Sequence, residues 1–478
     1  MLNDQRTMAK TKILVTLGPA TNSVESIRRL IRIGTDGVRL NLSHGSFSFF
    51  EDLFNSIHSA CSSEKSPLAV LVDLQGPKIR IGDLETPSIE LENGQTIEIT
   101  VDDVIGNKDL ISTSYKELVN DAEIGNDILI NDGLIKLTIK SKSKRSVICE
   151  VINGGTLTPK KGMNLPGMKL STPSVTKKDY ENLEFILKYR VDYIALSFVR
   201  SADDVMELKD WLSANGKNIP VIAKIEKKEA VDNLFDIIMA ADGIMIARGD
   251  LGVELPPQEV PVLQKTIIRH CNALGKLVIT ATQMLESMIN SPVPTRAEAS
   301  DVANAVWDGT DVVMLSGETS IGKFPFKAVQ MMNDIILQAE QHIEDKTTGY
   351  FISPDSLKEK LFDSVGKAVA DISRQISAQA IVVFTFEGRT ARIISKYKPE
   401  AKIIAISNSF NTMNNLCLRW GVTSVYREEI DKEHLAIDDA KELILKSNLA
   451  KKGDLVIFTA GAPYSEKSRA NWLRFEVL

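Results

Sequence analysis

Three charged side chains that lie close together in the sequence have the types and spacing of a divalent-metal site beside a fixed positive charge. Lys224 and Glu226 end the apolar run IPVIAKIE, and Asp250 follows the next run, GIMIARGD. If these runs are successive strands, one ammonium and two carboxylates lie at corresponding strand ends. Carboxylate pairs suit Mg²⁺ or Mn²⁺, which prefer hard oxygen ligands and keep room for water or substrate oxygens. The expected guest is a phosphorylated or enolisable acid.

Eight short β-rich runs, each ended by polar residues, could position these groups. They read KILVTLG, VRLNLSHG, LAVLVDLQG, YIALSFVR, IPVIAKIE, GIMIARGD, KLVITATQ and DVVMLSGE, and most are followed by amphipathic helical stretches. Their near-continuous apolarity predicts burial on both faces, as in a parallel sheet covered by helices. We therefore predict an α/β fold with a (β/α)8 TIM barrel; an open doubly wound sheet is the alternative.

Two other segments have a different pattern. Residues 76–171, between the third and fourth runs, contain alternating segments such as DILINDGLIKLTIK, which predict antiparallel hairpins. We expect a small inserted β-barrel domain there, above the barrel mouth, acting as a lid. The barrel then comprises residues 1–75 and 172–342. Residues 343–478 carry a helical stretch and the runs AIVVFTF, KIIAIS and DLVIFTA, which predict a C-terminal α/β open-sheet domain.

Composition narrows the class of protein. The chain has 478 residues, a formal net charge of -6 and 43% hydrophobic residues, typical of a globular protein of several domains. No apolar stretch approaches the roughly 20 residues of a membrane span, and the start, MLNDQRTMAK, is too polar for a secretory signal. Without basic runs, binding to nucleic acid is not expected. The sequence predicts a cytoplasmic protein with no membrane partner.

Enzymes built on such barrels carry their chemistry beyond the carboxyl ends of the strands. The residues predicted at those ends combine cations, carboxylates and hydroxyls, and they are Arg39, Asn41, Ser43, His44, Asp73, Lys78, Arg80, Lys224, Glu226, Arg248, Gly249, Asp250, Thr282, Gln283, Ser316, Gly317 and Glu318. Such a mixture is more typical of a binding site than of solvated surface.

Several of these residues have two interpretations. Arg39 and Arg80 either clamp a phosphoryl group with their guanidinium forks or pair with barrel carboxylates. His44 either contacts ligand or is a structural hydrogen-bonding group, and Thr282 is either functional or an ordinary strand-end hydroxyl. Gly249 and Asp250 either mark a tight turn or let the backbone approach a ligand closely, with helix amides holding its carboxylate.

The order and spacing of eight motifs identify a family. KTKILVTLGPAT, VRLNLSHG, DLQGPKIR, KGMNLPG, SFVR, AKIE, ARGDLGVE and ATQMLESM closely resemble pyruvate kinase, over nearly the whole chain and least in the last hundred residues. The resemblance implies Mg²⁺-dependent transfer of the phosphoryl group of phosphoenolpyruvate to ADP, giving ATP and pyruvate, the final step of glycolysis. It also implies a C-terminal regulatory domain and a homotetramer.

The resemblance also implies roles for individual residues. The implied metal ligands are Glu226 and Asp250, and a second Mg²⁺ is expected with the nucleotide. The implied catalytic residues are Lys224, Arg39 and Thr282, and all three would also bind substrate together with Gly249 and Asp250. The implied nucleotide-phosphate contacts are Asn41, His44 and Arg80.

One departure from the family concerns potassium. Members that require K⁺ have an acidic residue where this chain has Lys78, and typically Thr-Lys where it has Leu74 and Gln75. The monovalent-cation region would comprise Asn41, Ser43, Asp73, Leu74 and Lys78. Two unit charges about 4 Å apart interact by roughly 4 kcal/mol at an effective dielectric near 20, so an ammonium and K⁺ would compete. We predict activity without added K⁺, unless Lys78 points into solvent.

The C-terminal domain is less informative. A possible effector loop, FTFEGRTAR, contains Thr385, Gly388, Arg389 and Thr390, which could cradle a phosphate, whereas Glu387 would repel it. The effector is therefore left open. Two other functions also remain: another phosphoenolpyruvate or pyruvate barrel enzyme, such as an aldolase or lyase, and a non-catalytic sensor on the same fold.

Overall fold

The computed structural model describes residues 9–43, 45–343, 356–428, 433–461 and 469–478. Its first part consists of three buried strands and the two helices between them. In chain order these are β1 (Lys12–Thr16), α1 (Val24–Arg32), β2 (Gly37–Asn41), α2 (Phe47–Glu64) and β3 (Ala69–Asp73). Both helices begin after a serine, Ser23 or Ser46, whose hydroxyl accepts a hydrogen bond from a first-turn amide.

An inserted β domain follows β3. Its elements are β4 (Ile89–Leu91), β5 (Thr96–Thr100), β6 (Leu110–Ser112), α3 (Leu118–Asp121), β7 (Asp127–Ile130), β8 (Ile135–Lys142), β9 (Ser146–Asn153), β10 (Gly155–Leu157) and β11 (Met163–Asn164). A six-stranded sheet has the order β11-β7-β8-β9-β5-β6, and β10 pairs with β4. Most neighbouring strands are antiparallel, as the alternating pattern predicts. This domain has its own apolar core, separate from that of the barrel.

The second part of the barrel alternates strands and helices. The strands are β12 (Tyr193–Leu196), β13 (Val221–Ile225), β14 (Gly243–Ala247), β15 (Leu277–Ala281) and β16 (Val312–Leu315). The helices are α4 (Lys177–Ile186), α5 (Ala202–Ala214), α6 (Lys228–Asp232), α7 (Leu234–Ala240), α8 (Arg248–Glu254), α9 (Val260–Leu274), α10 (Arg296–Asp308), α11 (Gly317–Ser320) and α12 (Pro325–Glu340), with short 3₁₀ helices at Pro257–Glu259 and Glu286–Ile289.

Eight parallel strands close into a barrel in the order β1-β16-β15-β14-β13-β12-β3-β2. Closure comes from β1, which pairs with both β2 and β16. Buried side chains line both faces of the strands, one set inside the barrel and the other beneath the helices. The TIM barrel is therefore confirmed, and the open-sheet alternative is excluded. Parallel pairing brings all eight carboxyl ends to one face, the barrel mouth.

The C-terminal domain is an open α/β sheet. Its elements are α13 (Leu357–Gln375), β17 (Ala380–Phe384), α14 (Arg389–Lys396), β18 (Lys402–Ser407), α15 (Phe410–Leu416), β19 (Val422–Tyr426), α16 (Glu433–Lys446), β20 (Leu455–Ala460) and β21 (Trp472–Val477). The strand order is β19-β18-β17-β20-β21, with only β21 antiparallel. Over the described residues, no helix has the length and apolarity needed to cross a membrane.

The C-terminal domain closes the amino end of the barrel, which we call the barrel floor. Cys417 and Leu418, just after α15, belong to the same apolar cluster as the side chains inside the barrel. Gly37 leaves room for this contact, since a Cβ there would lie 2.8 Å from a methyl carbon of Leu418. The Tyr193 hydroxyl donates to the carbonyl of Asn415 at 2.5 Å. The two domains thus share one core.

Candidate active site

Lys224 lies at the centre of a buried polar network at the barrel mouth. Residues two apart on a strand point to the same face, which brings Lys224 and Glu226 of the fifth barrel strand together. The Lys224 ammonium lies 2.7 Å from Glu226 Oε1 and 3.4 Å from Asp73 Oδ1. It also donates to the Ser197 hydroxyl at 2.8 Å. The predicted adjacency of Lys224 and Glu226 at a strand end is therefore present.

Arg39 joins the network from β2. Its Nε and Nη2 lie 2.8 and 2.7 Å from Asp73 Oδ2, and its Nη1 donates to Thr16 Oγ1 at 3.0 Å. Of the two interpretations of Arg39, pairing with a barrel carboxylate is the one present in this structure. The Arg39 side chain remains 11% exposed, so its guanidinium still reaches the mouth.

The charges of this network hold one another ionised. Burial by itself would raise the pKa of Asp73, but Lys224 and Arg39 hold the pKa of this carboxyl below its ordinary value. Burial would also lower the pKa of Lys224, yet the charges of Asp73 and Glu226 raise it above the usual range. The mouth therefore carries a charged Lys224 ammonium beside an ionised Asp73 carboxylate.

Asp250 contributes a second carboxylate beside Glu226. It lies in the first turn of α8, which begins at Arg248, directly after the sixth barrel strand. Burial and the negative charge of Glu226 raise the pKa of Asp250 to about 6. The two carboxylates repel each other, and a divalent cation between them would remove that repulsion. Across the described residues, no group of three or more His, Cys, Asp or Glu side chains is placed to hold a metal ion.

Thr282 has a backbone conformation that is unusual for a β-branched residue. Its φ is 65°, in the left-handed region, and Gln283 follows with a φ of 54°. Arg248 supports this turn by donating to the Thr282 carbonyl at 2.7 Å. The Gly249 amide, a predicted carboxylate contact, donates to the Thr282 hydroxyl at 2.8 Å. Gly249, Asp250 and Thr282 therefore meet at one point of the mouth.

Lys78 does not point into open solvent. It is half-buried, and its ammonium donates to the Ser43 hydroxyl at 3.2 Å. Ser43 in turn donates through its amide to Asn41 Oδ1 at 3.1 Å. Burial lowers the pKa of Lys78, and the charges of Arg80 and Lys224 lower it further. Leu74 is buried, and its carbonyl accepts from Ser197 at 2.8 Å.

Of the predicted nucleotide contacts, the structure describes only some at the barrel mouth. Arg80 lies at the edge of the inserted domain, where its Nη1 donates to the carbonyl of Lys160 at 3.4 Å. Its charge acts on Lys78, which places it on the side of the mouth that Lys78 occupies. His44 lies outside the described residues.

The possible effector loop joins β17 to α14. In the sequence it lies far from the residues of the barrel mouth. The Thr385 hydroxyl accepts from the amide of Gly388 at 3.0 Å, and Gly388 has a φ of 75°. Arg389 forms an ion pair of 2.6 Å with Glu387, the carboxylate expected to oppose phosphate binding. Thr390 is buried in the first turn of α14. The loop therefore resembles a self-contained turn.

Two residues of the site were not predicted from the sequence. Ser197 links Lys224 to Asp73, its hydroxyl oxygen lying 3.3 Å from Asp73 Oδ1, and its position at the end of YIALSFVR was the available signal. Thr16 accepts a hydrogen bond from Arg39 at the end of β1.

Glu318, one of the predicted strand-end residues, has a structural role. Its carboxylate accepts hydrogen bonds from the amides of Leu285 and Ser316 at 3.0 and 2.7 Å.

Comparisons with known proteins match both large parts of the chain. The family model described as pyruvate kinase, barrel domain, matches residues 8–329, and the model described as pyruvate kinase, alpha/beta domain, matches residues 363–475. A pyruvate kinase of Geobacillus stearothermophilus is 42% identical over 475 residues, which cover 98% of this chain and 80% of that protein. One of Staphylococcus aureus (strain USA300) is 41% identical over 479 residues, covering 98% and 81%.

A solved structure agrees with these matches. The crystal structure of a pyruvate kinase from Cryptosporidium parvum superposes with a TM-score of 0.93 at 38% identity, covering 100% of this chain and 98% of that one. The alternatives of an aldolase, a lyase or a non-catalytic sensor are not favoured. The chain belongs to the pyruvate kinase family, as its motifs predict, and is a phosphotransferase of glycolysis whose substrates and products are phosphoenolpyruvate, ADP, ATP and pyruvate.

Proposed function

We propose that Lys224, Arg39 and Thr282 carry out the phosphoryl transfer from phosphoenolpyruvate to ADP. The observation that carries this proposal is the buried contact of 2.7 Å between the Lys224 ammonium and Glu226, beside Asp73 and Arg39. Lys224 is held ionised where charge develops on the transferring phosphoryl group and on the enolate oxygen. Such fixed charges stabilise a transition state without reorganising.

The family generally uses a divalent metal, and we propose that Glu226 and Asp250 hold Mg²⁺ or Mn²⁺ here. Both donors are hard carboxylate oxygens, and the raised pKa of Asp250, about 6, reflects burial and repulsion from Glu226 that a cation would relieve. The bound cation, and a second Mg²⁺ that arrives with the nucleotide, would neutralise charge on the phosphoryl oxygens. Glu226 is oriented for this role because its Oε2 accepts from the Phe198 amide at 2.8 Å.

Substrate binding is assigned to the groups that surround this pair. Arg39 would contact the phosphoryl group, and the first-turn amides of α8 at Gly249 and Asp250 would receive the substrate carboxylate. For the latter contact, the Gly249 amide must exchange its present acceptor, the Thr282 hydroxyl, for the substrate. Thr282 would then be released to lie near the enolate carbon and assist its protonation through water. Nucleotide phosphates are assigned to Asn41, His44 and Arg80.

The enzyme is further proposed to work without K⁺. The Lys78 ammonium occupies the region of Asn41, Ser43 and Asp73 and donates to the Ser43 hydroxyl at 3.2 Å. A fixed cation there supplies the positive charge that K⁺ supplies in other members and repels a second one. Leu74 supports this assignment, since its side chain offers no oxygen ligand.

The inserted domain is proposed to close over the mouth as a lid. Two of its residues already face α8: Asn164 lies beside Glu254, and the charge of Asp132 acts on Asp250. Closure would exclude water from the transferring group. We also propose that the domain boundaries lie between residues 75 and 76, 171 and 172, and 342 and 343.

Assembly and regulation are also proposed. The edge strand β21 exposes Phe475 and Val477, which are 50% and 65% exposed, and an apolar edge of this kind favours pairing with a second copy. We infer a homotetramer in the cytoplasm that uses this edge for one of its contacts. The loop with Thr385, Gly388, Arg389 and Thr390 is the proposed effector site of this regulatory domain.

Initial rates of ATP formation from phosphoenolpyruvate and ADP test these assignments. We expect full activity with Mg²⁺ when K⁺ is replaced by tetramethylammonium, and a collapse of the rate would contradict the role of Lys78.

A second experiment tests the metal ligands. Asp250→Asn should weaken Mn²⁺ binding by at least about 10-fold, measured by electron paramagnetic resonance without substrates. The exposed Asp232→Asn is the matched control, and unchanged Mn²⁺ affinity in Asp250→Asn would reject the ligand assignment.

A further inference from the structure

Arg248, the first residue of α8, donates hydrogen bonds to three successive carbonyls of the turn after the seventh barrel strand. Its Nε lies 3.3 Å from the carbonyl oxygen of Ala281, and its Nη2 lies 2.7 and 3.3 Å from those of Thr282 and Gln283. The strands β14 and β15 pair in parallel with Ala247 opposite Ala281, so the side chain that follows Ala247 reaches across to this turn. One guanidinium therefore holds the turn through its main chain.

The turn needs this support, because its backbone conformation is unfavourable for the residues it contains. Thr282 and Gln283 have φ angles of 65° and 54°, in the left-handed region that residues with a Cβ rarely adopt. Threonine is especially unsuited to this region, since its side chain is branched at Cβ. Such a conformation persists only where the surrounding structure fixes it. Arg248 supplies three of the contacts that do so.

The guanidinium is itself held in place from the outer helices. Its Nη1 donates to Asp301 Oδ1 of α10 at 2.8 Å and to Gln264 Oε1 of α9 at 3.3 Å. The Gln264 amide in turn donates to Asp308 at 3.1 Å. The Arg248 side chain is only 10% exposed, and its planar fork, bound on both sides, has one orientation available. The turn is thereby tied to the helices that surround the barrel.

The position of the turn decides where the Thr282 hydroxyl lies. This hydroxyl donates to the carbonyl of Ala281 at 2.7 Å, the same oxygen that Arg248 Nε contacts, and it accepts from the Gly249 amide at 2.8 Å. When the Gly249 amide turns to the substrate carboxylate, as proposed above, its contact with the hydroxyl is lost. The hydrogen bonds from Arg248 to the main chain do not depend on that exchange, so the turn stays in place with substrate bound.

We infer that Arg248 is a positioning residue for protonation of the enolate, and that it acts through Thr282. This inference rests on the role proposed for Thr282. In that step a proton from the Thr282 hydroxyl passes through water to the methylene carbon of the enolate. The electron pair of the carbon–carbon double bond forms the new C–H bond, the enolate oxygen becomes the carbonyl of pyruvate, and a proton from solvent restores the hydroxyl. Displacement of a reacting group by about 1 Å is enough to slow such a step by about 100-fold.

Exchange of the methyl protons of pyruvate with deuterium oxide tests this role, because it reverses the proton step without phosphoryl transfer. Proton NMR follows the exchange with Mg²⁺ and inorganic phosphate, which takes the place of the phosphoryl group. Arg248→Lys keeps the charge but places one ammonium where the fork contacted three carbonyls, and we expect the exchange rate to fall by at least about 10-fold. Thr282→Val should lower it by a similar factor. The double variant should be no slower than Thr282→Val alone, because Arg248 acts through that hydroxyl.

A matched control and a second readout separate positioning from folding. Arg374 also donates to a main-chain carbonyl and pairs with a helix aspartate, but in the C-terminal domain, so Arg374→Lys should exchange at the wild-type rate. The Mn²⁺ affinity of Arg248→Lys, measured as for Asp250→Asn, should match that of the wild type.

Asp301→Asn serves as a milder variant, and it decides the question if Arg248→Lys does not fold. It leaves the guanidinium fork intact and removes only its counter-ion, so exchange should fall in the same direction and by less. Combined with Thr282→Val, it should cause no further loss.

Three results would overturn the inference: an unchanged exchange rate in Arg248→Lys, full additivity with Thr282→Val, or a parallel loss of Mn²⁺ affinity, which would make Arg248 an anchor of α8. An unchanged exchange rate in Thr282→Val would instead contradict the role proposed for Thr282, and Arg248 would then have no proton step to support.

Discussion

At the barrel mouth the Lys224 and Arg39 cations each lie 2.7 Å from a carboxylate oxygen, whereas at the barrel floor Arg392 and Arg419 lie near each other with no carboxylate at ion-pair distance in the described part of the chain. The carboxylates differ in the same way. Asp73 at the mouth is held ionised by two cations, while Asp192 at the floor has its pKa raised to about 6 by burial. The difference lies in these groups and not in the floor as a whole, since Asp192 has Arg190 at 3.6 Å and Asp311 has Lys398 at 2.6 Å.

The comparison separates two uses of buried charge. A compensated network keeps Lys224 ionised and in place before substrate arrives, which is what electrostatic catalysis requires. An uncompensated cluster costs stability in the free protein and is relieved by whatever neutralises it. The network at the mouth is therefore organised before substrate arrives.

The largest effect should come from breaking the compensated network itself. Lys224→Gln removes the ammonium that offsets Asp73 and Glu226, and we expect kcat to fall by about 10²–10³-fold. Steady-state rates with saturating phosphoenolpyruvate and ADP measure this loss. Lys265→Gln, on the outer helix α9, is the matched control and should keep its kcat. A kcat within a factor of two of wild type would contradict the central role of Lys224.

The two buried aspartates should respond to pH in opposite directions. Because the folded pKa of Asp192 is raised, the folded state binds more protons, and its contribution to stability is lost as pH rises from about 4 through about 6. Asp192→Asn abolishes that loss, so its free energy of unfolding relative to wild type should increase by up to about 3 kcal/mol between pH 4 and 7. Urea titrations at several pH values measure the difference.

The Asn side chain can still accept the hydrogen bond that Asp192 receives from the Val70 amide at 2.8 Å. Asp232→Asn, on the surface, is the control for the loss of one carboxylate charge. The comparison between mouth and floor fails if the free energy of unfolding of Asp192→Asn relative to wild type does not change with pH. The lowered pKa of Asp73 has the opposite sign, since its contribution is present above its unfolded pKa and is lost in acid.

A smaller effect should follow from reversing one charge at the edge of the mouth. Lys78→Glu exchanges the fixed ammonium for a carboxylate, so the rate without K⁺ should fall by about 10-fold and recover when K⁺ is added. Rates in potassium and tetramethylammonium chloride at equal ionic strength measure this requirement. Lys144→Glu, exposed on the inserted domain, makes the same charge change elsewhere. A variant indifferent to K⁺ would remove Lys78 from the cation region.

The smallest effect concerns the contact across the barrel floor. Tyr193→Phe deletes the hydroxyl that donates to the Asn415 carbonyl, and we expect a loss of about 0.5–1.5 kcal/mol in the free energy of unfolding. Denaturant titration is sufficient to detect it. Tyr180→Phe removes a hydroxyl that bonds the surface carboxylate of Glu207 at 2.9 Å and should cost less. Equal losses in the two variants would mean that the floor contact is no stronger than a surface bond.

Local patterns in the sequence were sufficient for the elements and for part of the site. Continuous apolar runs identified the eight barrel strands, and the period of two placed Lys224 and Glu226 on one face. The motif order was specific enough to identify the family. These features lie within a few residues of one another, where sequence and local geometry are directly linked.

Contacts between distant segments could not be predicted from local sequence patterns. The choice of Asp73 as the partner of Arg39 depends on the register of β2 against β3, and Ser197 enters only through the neighbouring β12. The positive φ of Thr282 is imposed by tertiary contacts and contradicts the preference of threonine. Arg392 and Arg419 belong to separate segments of the C-terminal domain, and the cavity they share exists only once that domain meets the barrel.

Cys417 and Leu418 cover the floor of the barrel, so the barrel and the C-terminal domain cannot be separated without exposing apolar core. A shortened chain that ended before residue 343 would expose the lower layer of the barrel interior to water, around Leu14, Ala69 and Tyr193. Loss of the whole domain would require a new plug for the barrel at the same time.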